Sequence, residues 1–241
     1  MDSAALSSLG PAADKPKLSK QRVQLALRGL LVILLLSAAV SAWHFVSEYD
    51  KSRTASRCFD AMVSRSRDAH IYADAEYQSL LACGQSAVVP VVVDALEGGD
   101  ISPRYQPEPI GILNEFPQAA QRELHRRLSE GLKPTHDQRF SEMKNRGIDL
   151  ERRSCLIYGL IAVANDWSYL EQWLADAQLP ERQEWTGGLS GYSMNLLVSR
   201  NLEKLGAPHL LFANDPFNWR VNPEFVKWWT ENRARVLHPE K

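Results

Sequence analysis

LERRSCLIYGLIAVAN, residues 150–165, decides the fold of this chain. Its apolar side chains, Leu156, Ile157, Leu160, Ile161 and Val163, recur at intervals of three and four, the period of a helix with one buried face. Asn165-Asp166 supplies a turn, and WSYLEQWLADAQL (167–179) is expected to run back antiparallel. Two amphipathic helices joined by a tight polar turn are the unit from which an all-α domain is built.

The same pattern extends in both directions. Toward the C-terminus, a Gly-rich loop around Trp185–Ser190 precedes a helix from Tyr192 to Leu205, stopped by Gly206 and Pro208. Asn222-Pro223 then opens a last helix, EFVKWWTENRARV. Toward the N-terminus, Thr135 is expected to cap a helix ending near Gly147, with Asp149 capping the next. Pro107–Phe116 and Pro117–Leu132 form a pair with a corner forced at Pro117. Ser86 is expected to cap AVVPVVVDALEGG (87–99), whose Pro90 falls early and whose glycines end it. Tyr72–Ala82 gives another helix, and 47–65 continues whatever precedes it.

What precedes it is GLLVILLLSAAVSAWHFV, residues 29–46, which holds no charged side chain. Eighteen residues in a helix rise ~27 Å, about the thickness of a bilayer's hydrocarbon core. Before this run lie Lys15, Lys17, Lys20, Arg22 and Arg28 against Asp2 and Asp14, a net charge of +3. After it, Glu48, Asp50, Lys51 and Arg53 cancel. Basic flanks stay in the cytoplasm, so the pattern predicts a single pass of the inner (cytoplasmic) membrane, N-terminus inside and C-terminal domain periplasmic. Trp43 and Tyr49 fall at the outer aromatic belt. A cleaved signal peptide is the rival reading, because Val40-Ser41-Ala42 offers small residues for cleavage. Its n-region would be unusually long, and the apolar pattern runs on through Trp43–Val46.

The expected organisation is therefore a disordered cytoplasmic tail (1–21), an anchor (22–46) and an extracytoplasmic helical domain (47–241). Beyond the anchor, 23 basic face 27 acidic side chains, a net −4. No basic stripe remains to neutralise phosphates, which argues against nucleic acid as a partner.

Two segments resemble HEAT-type helical repeats. AVVPVVVDALEGGD (87–100) is similar to the second helix of such a repeat, and CLIYGLIAVANDWSYLEQWLAD (155–176) to a whole one. NPEFVKWWTENR (222–233) looks like the Trp-rich helix that closes many bacterial HEAT-like proteins. The likeness covers about half of residues 55–235, with no fixed period throughout. It implies an irregular α-solenoid of antiparallel helix pairs that works by binding other proteins.

Candidate chemistry is sparse. Cys58 and Cys83 fall on adjacent helices in a compartment expected to be oxidising, where a disulfide is a natural pairing, although chain geometry places Cys58 nearer residue 80 than 83. Cys155 reads as a buried thiol. Gly188-Leu189-Ser190-Gly191 is not a nucleophile elbow, since Tyr192 stands where the second glycine belongs. The histidines show no metal-ligand spacing, and His125 sits among Arg122, Arg126 and Arg127 on what reads as a solvated basic face. Glu151 beside Arg152 looks like ordinary surface charge. No cofactor or metal is expected. Trp167, Trp173, Trp185, Trp219, Trp228 and Trp229 crowd the last third, where they can plug an open helical stack. A contact surface is expected from Trp185, Tyr192, Trp219, Trp228 and Trp229. The sequence thus points to a membrane-anchored, non-catalytic interaction module with a protein partner in the cell envelope. A periplasmic hydrolase with a scattered active site is the alternative.

Overall fold

The computed structural model describes residues 20–69, 74–98, 109–176, 200–209 and 222–237; their regular structure is helical, with no strand among them. The chain divides into two units, Met1–Ser47 and Glu48–Lys241. Helix α1, Lys20–Ala69, is continuous over 50 residues and supplies the described part of the first unit. Among the described residues it is the one unbroken helix long and apolar enough to cross a membrane. Among the described residues, its large apolar side chains in the first unit, Leu30–Leu36, Val40, Trp43, Phe45 and Val46 among them, are exposed. A helix that is apolar all round is ordinarily either a membrane span or the core of a larger protein.

The second unit begins where α1 turns amphipathic. Ala55, Phe59 and Met62 lie at helical spacing and are buried, whereas Asp50, Lys51 and Arg57 face outward. Helix α2 is Asp74–Ala82 and α3 is Gln85–Gly98; they meet at a 118° bend at Cys83-Gly84. Gly84 adopts φ +82°, a left-handed conformation that favours glycine. Ser86 falls inside the first turn of α3 rather than before it, and its hydroxyl donates to Glu48 Oε2 at 2.8 Å. The expected cap is thus a cross-link to α1 instead.

Helices α4 (Pro109–Asn114) and α5 (Pro117–Glu130) turn the expected corner at Pro117, which takes the first position of α5, where its missing N–H costs nothing. Helix α6, Glu142–Ala164, departs from the reading of its sequence. It runs unbroken through Gly147 and Asp149, where a break was expected, and Ser141 caps it by accepting from Lys144 N–H at 3.2 Å. Gly147 is buried, and Asp149 turns its carboxylate to another segment; both offset the ~1 kcal/mol or less that such residues cost inside a helix.

Helices α3, α4, α5 and α6 pack on one another around Val88, Val92, Val93, Ile112, Leu113, Leu124, Leu156 and Leu160. Gly159 allows the closest approach: a Cβ built there would stand 2.6 Å from Leu96 Cδ2 and 3.3 Å from Leu124 Cδ2. Asn165 closes α6 in the left-handed region (φ 50°), its N–H returning to Ile161 O at 2.9 Å. Helices α7 (Leu170–Asp176) and α8 (Pro223–Leu237) belong to a second core of Ile157, Ile161, Trp167, Leu170, Trp173, Leu202, Phe225 and Trp229. Asn222 Oδ1 accepts from Glu224 N–H at 2.9 Å and starts α8 as expected.

Candidate functional site

Residues 131–141 join α5 to α6 without regular structure, and three side chains of α6 hold them in place. Asp149 takes the Thr135 N–H on both oxygens at 3.0 Å and the Thr135 hydroxyl at 2.6 Å. Arg152 donates to the Lys133 carbonyl at 2.7 Å and to Asp149 at 3.1 Å. Asn145 Nδ2 donates to the Asp137 carbonyl at 3.2 Å. A loop whose polar backbone is met in this way is fixed rather than loose.

Between this loop and the first turns of α6 opens a cavity of about 400 Å³, lined by Thr135, His136, Asp137, Phe140, Asn145 and Arg146 among others. That volume lies within the usual range for a small-molecule or side-chain pocket. Its carboxylates are occupied. Asp137 bonds the Arg139 guanidinium at 2.6 Å and the Arg139 N–H at 2.9 Å, which together hold its carboxyl below the usual range. Glu142 pairs with Arg146 at 2.6 Å. Phe140 carries cations against its ring, with Lys144 Nζ 3.8 Å and Arg139 Cζ 5.7 Å from the centroid.

Below the loop, Arg152 reaches Glu97 near the end of α3, and Arg127 of α5 reaches the same carboxylate at 3.1 Å. Arg127 also pairs with Asp94 and with Glu123. The chemistry of Arg127 is therefore that of a half-buried knot between α3, α5 and α6, not of a solvated basic face. Glu151 likewise is buried rather than a surface charge. Glu123 sits between Arg126 and Arg127, whose hydrogen bonds hold its carboxyl low despite burial.

A second polar cluster lies at the α6–α7 turn. His125 Nε2 is 2.8 Å from Asp166 Oδ2, which Gln121 also bonds at 3.1 Å, while Asp166 Oδ1 accepts the Ser168 N–H at 3.0 Å. Burial alone would raise the Asp166 carboxyl, but the bonds from Ser168, His125 and Gln121 outweigh it and hold it low. The Tyr169 ring lies 5.7 Å from that of His125. No hydroxyl or thiol nucleophile is bonded to His125 among the described residues. The pair therefore joins α5 to the turn. Local charge pattern carries no signal for it, because the partners are 41 residues apart.

Of the residues expected to form a contact surface, Trp185, Tyr192 and Trp219 lie outside the described residues, as does the Gly-rich loop. Trp229 is buried in the second core and offers no outward face; Trp228, one position earlier, is half-buried. Cys58 and Cys83 are half-buried free thiols packed against the first core, and Cys155 is buried. No group of three or more His, Cys, Asp or Glu side chains placed to hold a metal occurs among the described residues. No protein-family model, curated protein or solved structure matches this chain.

Proposed function

We propose that this is a single-pass membrane protein whose helical unit stands outside the cytoplasm and docks a protein partner of the cell envelope without catalysing a reaction. Anchoring is supported by the bare apolar surface of α1 together with the basic residues that precede it. The observation that carries the binding reading is the state of the carboxylates at the cavity. Asp137, Glu142 and Asp149 are each committed to a guanidinium, a hydroxyl or an amide, an arrangement suited to a firm contact surface and ill suited to moving protons. The HEAT-like resemblance of 87–100 and 155–176 supports the same reading, with the helix pairs stacking as an irregular solenoid.

A reporter enzyme active only in the periplasm, fused to the C-terminus, tests the address; activity only from a cytosolic reporter would overturn it. Photo-cross-linking from His136 and Gln138, compared with the outward face of α8 at Lys227, tests the docking. A discrete adduct from the loop, absent from Lys227, is the expected result. Hydrolysis of an envelope substrate by the purified protein, abolished by His125→Ala, would replace docking by the hydrolase reading.

A further inference from the structure

Helix α1 presents Ala55, Cys58, Phe59 and Met62 along one face of its last third, and Ala55, Phe59 and Met62 are buried. Ala55 is fully buried, and a small side chain at a helix contact lets the opposing chain come close. Cys58 and Cys83 both pack against the core cluster that contains these three residues. The bond from Ser86 to Glu48 holds the chain just after Cys83 against the same helix. Cys83 itself lies on the turn between α2 and α3, its N–H returning to Leu80 O at 3.0 Å and its thiol to Ser79 O at 3.4 Å. The neighbouring Gly84, with its left-handed backbone, is a point where the turn can adjust.

We infer that Cys58 and Cys83 are the site of an intramolecular disulfide that fastens residues 48–69 of α1 to the α2–α3 corner. The charge of Cys58 is also felt by Cys83. Burial pushes the Cys83 thiol above its ordinary value and Cys58 adds to that rise, whereas Lys51 opposes it. The exchange runs in two steps, with Cys58 as the first nucleophile. Its thiolate attacks one sulfur of a disulfide oxidant, a thiol–disulfide oxidoreductase or oxidised glutathione, and expels the other sulfur as a thiolate. Cys83 then loses its proton and attacks the Cys58 sulfur of the mixed disulfide, releasing the oxidant's second thiolate. The two cysteines lose two protons and two electrons, and the oxidant ends as two thiols. Cys155, buried between α6 and its neighbours, remains reduced.

Oxidation in the cell rests on the extracytoplasmic address proposed above; the packing of both thiols against one core does not. The test uses the full-length chain, which has three cysteines. Cells are quenched in acid, the protein is denatured, and free thiols are counted by mobility shift with a polyethylene-glycol maleimide before and after reduction. One adduct before reduction and three after it are expected, and no gain on reduction for Cys58→Ser or Cys83→Ser. The purified protein in mild detergent should melt roughly 5–10 °C lower once reduced, a difference absent from either serine variant. Three adducts before reduction, in cells whose C-terminal reporter is active in the periplasm, would overturn the inference. Should the reporter instead place the domain in the cytosol, purified protein exposed to oxidised glutathione decides. Loss of two hydrogens by mass upholds the pairing, and glutathione adducts on separate cysteines refute it.

Discussion

The hydroxyl of Thr135 donates to Asp149 Oδ1 at 2.6 Å, and the Thr135 N–H reaches both oxygens of the same carboxylate at 3.0 Å. One side chain in the second turn of α6 thus fastens the loop that walls the cavity. Asp149→Ala removes these bonds and the Arg152 contact, leaving a half-buried N–H and a guanidinium short of an acceptor. A loss of about 2 kcal/mol is expected. Thermal melting should fall by a few degrees, and limited proteolysis should open a new cut between 131 and 141. An unchanged digest would show that the loop is held by something other than Asp149.

Glu97 receives Arg127 and Arg152 from two different helices while itself nearly buried. Glu97→Gln keeps the shape and withdraws the charge, so two guanidinium groups lose their common counter-ion. Removing one partner of a fully buried pair costs about 3–5 kcal/mol, and the partial exposure of both arginines reduces this to about 2 kcal/mol. Urea unfolding of Glu97→Gln, Arg127→Gln and the double variant measures it. Additive losses would mean that the pair does not couple.

At Gly159 two effects compete. Alanine gains about 1 kcal/mol of helix propensity, but its Cβ meets Leu96 and Leu124 from two different helices. Overpacking of this kind costs about 1–3 kcal/mol, so Gly159→Ala is expected to destabilise. Gly159→Val adds a second clash and should fare worse. The cycle with Leu96→Ala, measured by chemical unfolding, should show favourable coupling, because the shortened side chain vacates the space the new methyl needs.

The Asp166 carboxyl titrates lower in the folded chain than in the unfolded one, through Ser168, His125 and Gln121 acting against burial. Its stabilisation is therefore fully present above the ordinary carboxylate range and is lost as the pH falls through the lowered value. Wild type should melt above Asp166→Asn at neutral pH, and the gap should close on acidification below about pH 4. A gap constant from pH 7 to pH 3 would remove Asp166 as the cause.

Leu160 is fully buried in the first core. Leu160→Asp places an unpaired carboxylate there at a cost of roughly 4 kcal/mol or more, enough to prevent folding of most domains of this size. Soluble Leu160→Asp protein with undiminished helical circular dichroism would mean that the core lies elsewhere.

Much of the helical plan was legible in local pattern. The period of 156–163, the corner at Pro117, the turn at Asn165-Asp166 and Asn222 ahead of Pro223 are choices that a few neighbouring residues settle. The caps failed where a side chain had a distant alternative. Thr135, Ser86 and Asp149 have the right chemistry for a helix start, but each found a partner on another segment: Thr135 and Asp149 bond each other, and Ser86 bonds Glu48. The candidate site was harder still to see. The cavity is made by a loop that carries no motif, and Arg127, Arg152 and His125 resemble any other basic residue on a helix until their acidic partners, 30, 55 and 41 residues away, are brought in.

The sequence alone determined that this chain is helical and that one segment near its start is apolar on every side, because helical period and hydrocarbon length are properties of consecutive residues. Only the tertiary structure decided which charges are buried in pairs, that α6 runs through Gly147 and Asp149, and that a cavity opens beneath residues 134–140. Those outcomes depend on which side chains meet across the fold. A hydrogen bond or ion pair between residues far apart in sequence leaves no periodic trace along the chain.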